Sequence, residues 1–404
     1  MTFIGNNESI QPKYTPEEII AKLQAHPKFG SQIKPITKHQ SAIISSGLEP
    51  AVVIAGAGSG KTETMSNRVL YLVANGFATP DQILGLTFTR KAAGELSVRI
   101  RKRLRQLSQL PEFKHITSTS TAVTTYHSYA GKLLSEHAIR YGIDADAEPL
   151  GEAAIWQIAS DVVRNWSDDS YRNDSAVSTV IKDLLGLSKF MLEHQVKAAD
   201  IEAIGNEMIE KLDALGGSTN QDTRDVARAM RQRNSLLPMV EAFMERRKAA
   251  GELSFDDQMS LAADIAQNFE DVGTLERGKY KVVLLDEYQD TSQSQVRMLS
   301  ALYGNFVKET GHPVMAVGDP SQAIYTWRGA SAGTMASFHK YFPKAQGQTG
   351  IEKFSLPTTF RNDKIILAAA NTISAQIKAD GGQQVVELEA RSGAVEGELA
   401  YGIY

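Results

Sequence analysis

The sequence predicts an α/β protein in which a parallel sheet is interrupted by a helical insertion. Three short apolar runs rich in β-branched residues, at 51–55, 282–285 and 314–317, lie among segments of helical character. From about residue 130 to 250, by contrast, apolar residues recur at helical spacing. Because strands that alternate with helices favour a parallel sheet with crossover helices, we expect a sheet domain that is split in sequence by a helical one.

The bulk composition is that of an ordinary globular protein. The chain has 404 residues, 42% of them hydrophobic and 22% charged, which excludes wholesale disorder and a fibrous rod. It contains no cysteine, which excludes disulfides, thiol nucleophiles and zinc fingers within this stretch. The apolar runs are too short to span a bilayer and no signal-peptide pattern opens the chain, so we expect no membrane partner and a cytoplasmic location.

Turn-forming residues suggest where the domains divide. The segment 216–220 and Pro238 both interrupt the helical pattern, so we expect helices to break there. A linker at 346–350 precedes a new apolar segment. We therefore predict four parts: 1–125 and 252–345 form the first sheet domain, 126–251 the inserted helical domain, and 346–404 the start of a further domain.

A glycine-rich loop follows the first strand and precedes a helical pattern. It reads Ala55-Gly56-Ala57-Gly58-Ser59-Gly60-Lys61-Thr62. In such a loop successive backbone N–H groups turn toward phosphate oxygens, Lys61 supplies a positive charge and Thr62 offers a hydroxyl to Mg²⁺. The strand–loop–helix context therefore predicts a nucleotide-binding site.

The apolar run 282–285 ends in two acids, Asp286 and Glu287. Asp286 can hold Mg²⁺ through water, and Glu287 can orient or deprotonate an attacking water molecule. The pair favours nucleotide hydrolysis over storage. The helical insertion separates the acids from Lys61 by far more chain than small kinases and small GTPases have, so those classes fit poorly.

Basic and aromatic residues lie between these two sites. From Arg90 to Arg105 there are seven basic residues and one acid, Glu95, in a chain whose net charge is only -4. This pattern suits a solvated helix face as well as a phosphate-binding surface. Phe88 and Tyr126, near the ends of predicted strands, favour the second interpretation because aromatic rings can stack on the bases of a single strand.

A further polar and aromatic segment follows the strand at 314–317. It presents Gln322, Tyr325, Trp327 and Arg328 in one loop. An amide that senses a terminal phosphate, close to an aromatic ring that stacks on a base, would couple nucleotide state to strand position. The alternative is that the tyrosine and tryptophan belong to the core.

With these residues assembled, the sequence resembles the UvrD/Rep-type superfamily 1 DNA helicases, which are P-loop NTPases with RecA-like motor domains. Seven motifs come in that family's order, at 36–40, 55–62, 87–96, 125–128, 286–290, 318–330 and 356–361. The resemblance implies that Gln40 reads adenine, Phe360 stacks on it, Gln322 senses phosphate and Arg361 acts as an arginine finger. It also implies DNA contacts by Phe88, Arg90, Tyr126, His127, Tyr325 and Trp327.

Two positions depart from that family. Glu63 stands where many relatives carry an arginine near the adenine, and Arg90 stands where asparagine is common. Motifs V and VI are missing, so the chain reads as an N-terminal fragment that includes only the start of the second motor domain, and we expect this fragment alone to be inactive in unwinding.

The resemblance implies an ATP-dependent helicase or translocase on single-stranded DNA, of 3′ to 5′ polarity, in DNA repair or recombination. ATP and Mg²⁺ are the implied cofactors, and single-stranded DNA and DNA with a 3′ overhang the implied substrates. Two alternatives stay open: a non-hydrolysing DNA-binding motor subunit, or the motor half of a helicase–nuclease with a partner helicase or nuclease subunit. Intact Lys61, Asp286 and Glu287 count against a subunit without hydrolysis.

Overall fold

The computed structural model describes residues 11–141, 150–167, 171, 175–215, 220–249, 255–304, 311–325, 333–344, 350–379 and 386–400. These residues form two compact units. The first comprises the chain up to Tyr129, Phe269–Thr291 and the chain from Leu299 onward, and the second comprises Ala130–Asn268 and Ser292–Met298.

The first unit contains a parallel sheet, as the sequence predicts. Its strands are β1 (Ala51–Ala55), β2 (Ile83–Thr87), β3 (Ala122–Thr125), β4 (Val282–Leu285), β5 (Val314–Gly318) and β6 (Glu352–Leu356). The six strands lie in the order β3-β2-β4-β5-β1-β6, and every neighbouring pair is parallel. Two residues each from β7 (Thr358–Thr359) and β8 (Glu389–Ala390) form a small parallel pair beside it.

Both units contain helices. In chain order they are α1 (Pro16–Gln24), α2 (Lys38–Ile44), α3 (Lys61–Ala74), α4 (Arg90–Leu107), α5 (Tyr126–His137), α6 (Glu152–Arg164), α7 (Val177–His194), α8 (Ala198–Ala214), α9 (Gln221–Ala249), α10 (Phe255–Asn268), α11 (Glu270–Lys279), α12 (Gln293–Tyr303), α13 (Thr334–Tyr341) and α14 (Lys364–Ala379). None of the helices seen in the described ranges combines the length and the apolarity that crossing a bilayer requires.

The sheet is buried on both faces, as its β-branched and leucine-rich strands require. All four residues of β4 and all five of β2 and β5 are buried. Helix α3 is the most enclosed of the neighbouring helices, because every residue from Thr64 to Ala74 is buried. The loop that precedes α3 is therefore held by a rigid strand on one side and a buried helix on the other.

Strand register brings the functional segments together. Val53 of β1 lies opposite Val317 of β5 on one side and Phe354 of β6 on the other. Because all six strands run the same way, the residues that follow each strand meet at one edge of the sheet, where ligands bind in open α/β folds.

The second unit is helical, with its own apolar core contributed mainly by α6, α7 and α9. One expectation about it is wrong: Pro238 does not end a helix, because α9 continues through it to Ala249. A proline inside a helix costs one hydrogen bond. Its apolar neighbours Leu237, Met239 and Val240 are buried in the core, and this packing holds the segment helical.

The limits of the four predicted parts stay predictions. The second unit, Ala130–Asn268 with Ser292–Met298, covers a longer stretch than the 126–251 expected for the helical insertion. Strand β6 lies after the expected change of domain at 346 and still pairs with β1 along its whole length. The segment after residue 351 thus packs on the first sheet.

Candidate active site

The glycine-rich loop joins the end of β1 to the start of α3. Gly58 and Gly60 have φ values of 73° and 86°, in the left-handed region that residues with a Cβ rarely adopt. Gly60 is the N-cap of α3 and Lys61 is its first residue. The hydroxyl of Ser59 donates to the carbonyl of Gly56 at 2.8 Å and closes the turn. The loop thus presents backbone at the positive end of a buried helix, as phosphate binding requires.

The segment after β6 covers this loop. The Thr359 hydroxyl donates to the carbonyl of Ala57 at 2.9 Å, and the N–H of Phe360 donates to the carbonyl of Gly58 at 2.8 Å. A Cβ placed on Gly58 would lie 2.5 Å from the Cβ of Arg361. Only glycine therefore allows the predicted arginine finger to approach so closely.

Gln40 and Phe360 meet at the same point of the loop. A Cβ placed on Gly60 would lie 3.0 Å from Nε2 of Gln40 and 3.7 Å from the ring of Phe360. Gln40 is buried, and its Oε1 accepts the N–H of Thr37 at 3.0 Å, which closes the capping box of α2. Phe360 is 45% exposed. An oriented amide beside an exposed ring is an arrangement that suits a planar base.

The two acids after β4 differ in environment. Asp286 is 6% exposed, and burial, reinforced by the charge of Glu287 and opposed by that of Lys61, raises its pKa to about 6. Glu287 is less buried and accepts a hydrogen bond from Nζ of Lys61 at 3.1 Å. Its φ of 48° lies in the left-handed region, a conformation that costs a non-glycine residue about 1–3 kcal/mol and is concentrated at functional sites.

A chain of hydrogen bonds connects Glu287 to the segment after β5. Nε2 of Gln289 donates to Oε2 of Glu287 at 2.9 Å, and Oε1 of Gln289 accepts the N–H of Asp319 at 3.0 Å. Nε2 of Gln322 in turn donates to Oδ2 of Asp319 at 2.6 Å. The predicted phosphate sensor is therefore connected to Lys61 through Glu287, Gln289 and Asp319.

Gln289 and Asp319 are not among the site residues that the sequence predicts. Both lie inside the motifs at 286–290 and 318–330. Gln289 is 2% exposed, and a buried amide requires hydrogen-bond partners. A polar residue between Glu287 and Asp290 of the first motif is the signal that points to it.

Two aromatic residues predicted to contact DNA lie together at the same edge of the sheet, after β2 and β5. The rings of Phe88, directly after β2, and Tyr325, beyond β5, stack with centroids 4.8 Å apart and planes 24° from parallel. Arg90 is exposed as the first residue of α4, whose N-cap Thr89 accepts the N–H of Ala92 at 3.1 Å. Trp327 lies outside the described residues.

Tyr126 is placed differently from its predicted role. Its side chain is fully buried, and its hydroxyl donates to the backbone carbonyl of Asp286 at 3.1 Å. It therefore supports the end of β4 instead of facing solvent as a ring that could stack on a base. His127, the next residue of α5, is exposed.

Glu63, the position that departs from the helicase family, links α3 to α4. Its carboxylate accepts hydrogen bonds from Arg103 at 2.5 Å and from Arg99 at 2.9 Å. Burial opposes ionisation, but Arg103 and Arg99 outweigh it and lower the pKa of Glu63. An acid at this position thus joins the helix after the loop to the basic helix.

The donor set suits a magnesium ion. Among the described residues no group of three or more histidines and acids is arranged to hold a metal. Mg²⁺ in phosphate sites does not need such a cage, because one or two protein oxygens, the substrate's phosphates and water complete its shell. The hydroxyl of Thr62 and the carboxylate of Asp286 are oxygen donors of this kind.

The parallel sheet, the loop after β1 and the acid pair after β4 define a P-loop protein of the α/β class. Within that class the chain belongs to the UvrD/REP helicase N-terminal domain family, whose sequence profile matches residues 36–343. The resemblance predicted from the motifs and the predicted fold class are thereby confirmed.

Curated relatives agree with this assignment. The chain is 29% identical over 367 residues to ATP-dependent DNA helicase UvrD1 of Mycobacterium tuberculosis, a match that covers 90% of this chain and 42% of the relative. It is 27% identical over 334 residues to ATP-dependent DNA helicase PcrA of Staphylococcus aureus, covering 83% and 39%. The matches thus cover about two-fifths of the length of these relatives.

Proposed function

We propose that this chain is the nucleotide-hydrolysing part of an ATP-dependent DNA helicase that moves along single-stranded DNA. The observation that carries the proposal is the meeting of the glycine-rich loop, Lys61, Glu287, Gln322 and the segment of Arg361 at one edge of the sheet. The names of UvrD1 and PcrA, both ATP-dependent DNA helicases, support it.

Each residue of the site has a role that its position suits. Loop backbone amides and Lys61 bind the phosphates, while Gln40 and Phe360 bind the adenine. Thr62 and Asp286 would hold Mg²⁺, which when bound neutralises charge on the terminal phosphate oxygens. Glu287 orients the attacking water molecule and takes up its proton.

Binding of nucleotide requires two exchanges of partner. Lys61 donates to Glu287 in the structure, so it must leave that carboxylate to reach a phosphate. Gln322 donates to Asp319 and must likewise turn to contact the terminal phosphate. Because Gln289 contacts both Glu287 and the backbone of Asp319, the two exchanges are coupled.

The DNA-binding side supports a single-strand substrate. The stacked pair Phe88 and Tyr325 lies after β2 and β5, and β5 is also followed by Gln322, the proposed phosphate sensor. A base that inserts at this pair gains stacking energy without regard to its identity. Arg90 is exposed two residues after Phe88, and His127 is exposed in α5 after β3, the strand that neighbours β2. Trp327 is the further proposed stacking residue.

The finer features rest on the family resemblance. These are the 3′ to 5′ polarity, the preference for a 3′ overhang, a role in DNA repair and the association with a partner helicase or nuclease subunit. The cytoplasmic location likewise stays a prediction. Arg361 is proposed as an arginine finger because it lies against Gly58.

The proposed nucleotide site is tested with Lys61→Ala. We expect the affinity for a non-hydrolysable ATP analogue, measured by calorimetry with Mg²⁺, to fall at least ten-fold because the phosphates lose their cation. Wild-type binding should also weaken when Mg²⁺ is removed.

Lys132→Ala serves as the matched control, because Lys132 is an exposed lysine on α5 that pairs with Glu136. Equal affinities in wild type, control and Lys61→Ala would show that the loop does not bind phosphate. A strand-separation assay on the 404-residue chain then tests whether this chain unwinds DNA without further domains.

A further inference from the structure

Helix α4 has two faces of opposite character. Its inner face is mostly apolar, with Ala93, Leu96, Ile100, Leu104 and Leu107 buried together with the polar residues Arg103 and Gln106. Its outer face carries five exposed cations, Arg90, Lys91, Arg101, Lys102 and Arg105. At 3.6 residues per turn these five lie within an arc of about 120°. We call these five residues the α4 basic face.

Among the described residues, the cations of α4 that lie toward α3 have acidic partners, and those of the α4 basic face do not. Arg99 and Arg103, toward α3, share the carboxylate of Glu63. In the part of the chain that the structure describes, no acid pairs with the α4 basic face, and Lys102 donates only to the amide oxygen of Gln32, at 3.1 Å. The basic run 90–105, which the sequence could not assign to a solvated face or a phosphate-binding surface, is therefore neutralised only on the side toward α3.

This placement works against the stability of the helix itself. Arg90 and Lys91 occupy the first turn, where the helix dipole disfavours positive charge, and that turn contains no acid. Helix α1, by contrast, has Glu17 and Glu18 in its first turn. Arg101 and Arg105 are four residues apart, where like charges repel. An anionic ligand along this face would relieve all of these repulsions.

The position of the α4 basic face indicates which kind of anion would bind to it. Helix α4 begins two residues after Phe88, whose ring stacks on Tyr325. From Arg90 to Arg105 the helix rises about 22 Å. Arg90 and Lys91 lie beside the proposed base-stacking pair, and Arg101, Lys102 and Arg105 form a second group about 15 Å further along, beyond the exposed Glu95. A polynucleotide repeats its negative charge along its length, so one strand can contact both groups.

We propose that the α4 basic face binds the phosphate backbone of the single-stranded DNA that leaves the Phe88–Tyr325 stack. The proposal rests on the proposed function and extends it, because it adds a phosphate track that is distant from the seven motifs at Arg101, Lys102 and Arg105. The strand would be held by its bases at the stack and by its phosphates along α4.

The test measures DNA affinity against salt concentration by fluorescence anisotropy, with oligothymidines of about 5 and about 25 nucleotides, since proteins contact single strands over roughly 4–16 nucleotides. For Arg101→Gln with Arg105→Gln we expect the long strand to bind roughly ten-fold more weakly. Its slope of log affinity against log salt should become shallower by about 1.4, the value for two phosphate contacts. The short strand, which reaches only the stack, should bind as it does to wild type.

Arg224→Gln with Arg228→Gln on α9 is the matched control, with two exposed arginines at the same spacing. Thermal unfolding midpoints verify that both double variants fold. An unchanged slope for the long strand, an equal loss in the control, or an equal loss with the short strand would each overturn the proposal. So would an equal loss of binding to polyglutamate, which would indicate an acidic protein ligand instead.

Phe88→Ala separates this inference from the proposed function. If Phe88→Ala weakens both oligonucleotides while the α4 variant binds like wild type, the helicase assignment stands and the α4 track fails. If wild type binds neither oligonucleotide, the proposed DNA-binding function itself fails.

Discussion

The edge of the sheet that contains the proposed nucleotide site, here called the nucleotide edge, and the α4 basic face both concentrate charged residues. They differ in whether those residues have hydrogen-bond and ion-pair partners. At the nucleotide edge Lys61 pairs with Glu287, which also accepts from Gln289, and Gln322 is held by Asp319. On α4 the outward cations have no acidic partner among the described residues.

The difference follows from burial. Charged and amide groups at the nucleotide edge are largely withdrawn from water, and an unpaired group there would carry a large desolvation cost. The exposed cations of the α4 basic face are solvated, so the absence of an acidic partner carries no comparable desolvation cost. In the proposed function a nucleotide must therefore exchange existing hydrogen bonds, whereas a DNA backbone has only to displace water and counterions.

The largest expected effect on activity comes from replacing Glu287, the carboxylate that pairs with Lys61. In Glu287→Gln the proposed general base is lost, so single-turnover hydrolysis of ATP should fall by about 10²- to 10⁴-fold. The affinity for an ATP analogue should stay equal or rise, because Lys61 no longer has a carboxylate to leave. Hydrolysis is followed by phosphate release and affinity by calorimetry.

Glu270→Gln, an exposed acid on α11, controls for the loss of one negative charge. If Glu287→Gln hydrolysed ATP as fast as this control, Glu287 would not be the base. A large drop in nucleotide affinity would show that the Lys61–Glu287 pair assists binding instead of competing with it.

A second prediction concerns the cost of burying Asp286. Its pKa is about 6 in the folded chain and near 3.8 as a free side chain. Well below pH 3.8 the group is protonated in both states. Between about pH 3.8 and 6 the unfolded chain releases this proton while the buried carboxyl retains it, so the folded chain loses stability, and the loss is complete above pH 6. At pH 7 this loss amounts to about 3 kcal/mol.

Asp286→Asn removes that cost. Without nucleotide or metal, urea unfolding at pH 7 should therefore give a higher unfolding free energy for Asp286→Asn than for wild type, by up to about 3 kcal/mol. Near pH 4 the difference should be small. The exposed Asp81→Asn is the control, and a stability gain that is independent of pH would contradict the role of ionisation.

The smallest expected effect separates two buried tyrosines near the acids. Tyr126 donates to the carbonyl of Asp286, whereas the hydroxyl of Tyr288, also fully buried, has no hydrogen-bond partner among the described residues. Tyr126→Phe should lower the unfolding free energy by about 1 kcal/mol. Tyr288→Phe should leave it unchanged or raise it slightly, since an unsatisfied buried hydroxyl is removed.

Both variants keep the aromatic ring, so urea unfolding compares the hydroxyl groups alone. Equal effects of the two substitutions would show that the Tyr126 hydrogen bond contributes nothing to the end of β4. A loss of nucleotide affinity confined to Tyr126→Phe would indicate that this bond also positions Asp286.

The sequence by itself determined three of the six sheet strands, β1, β4 and β5, together with the phosphate loop and the acid pair, because these depend on local patterns. A β-branched run followed by glycines and Lys61 needs no distant partner to be recognised, and the family assignment rests on such short motifs. The same local rules were wrong at Pro238, where packing of Leu237 and Val240 in the core keeps α9 helical.

Only the tertiary structure decided which side chains face one another. Tyr126 and Phe88 look alike in sequence, each following a strand, yet one is buried beneath Asp286 and the other stacks on Tyr325. The sequence did not decide the role of the basic run of α4. In the structure Glu63, 36 residues before Arg99 in the chain, pairs with Arg99 and Arg103 on the side toward α3, and no acid among the described residues pairs with the α4 basic face. Burial and long-range pairing are properties of the folded chain, and no local spacing encodes them.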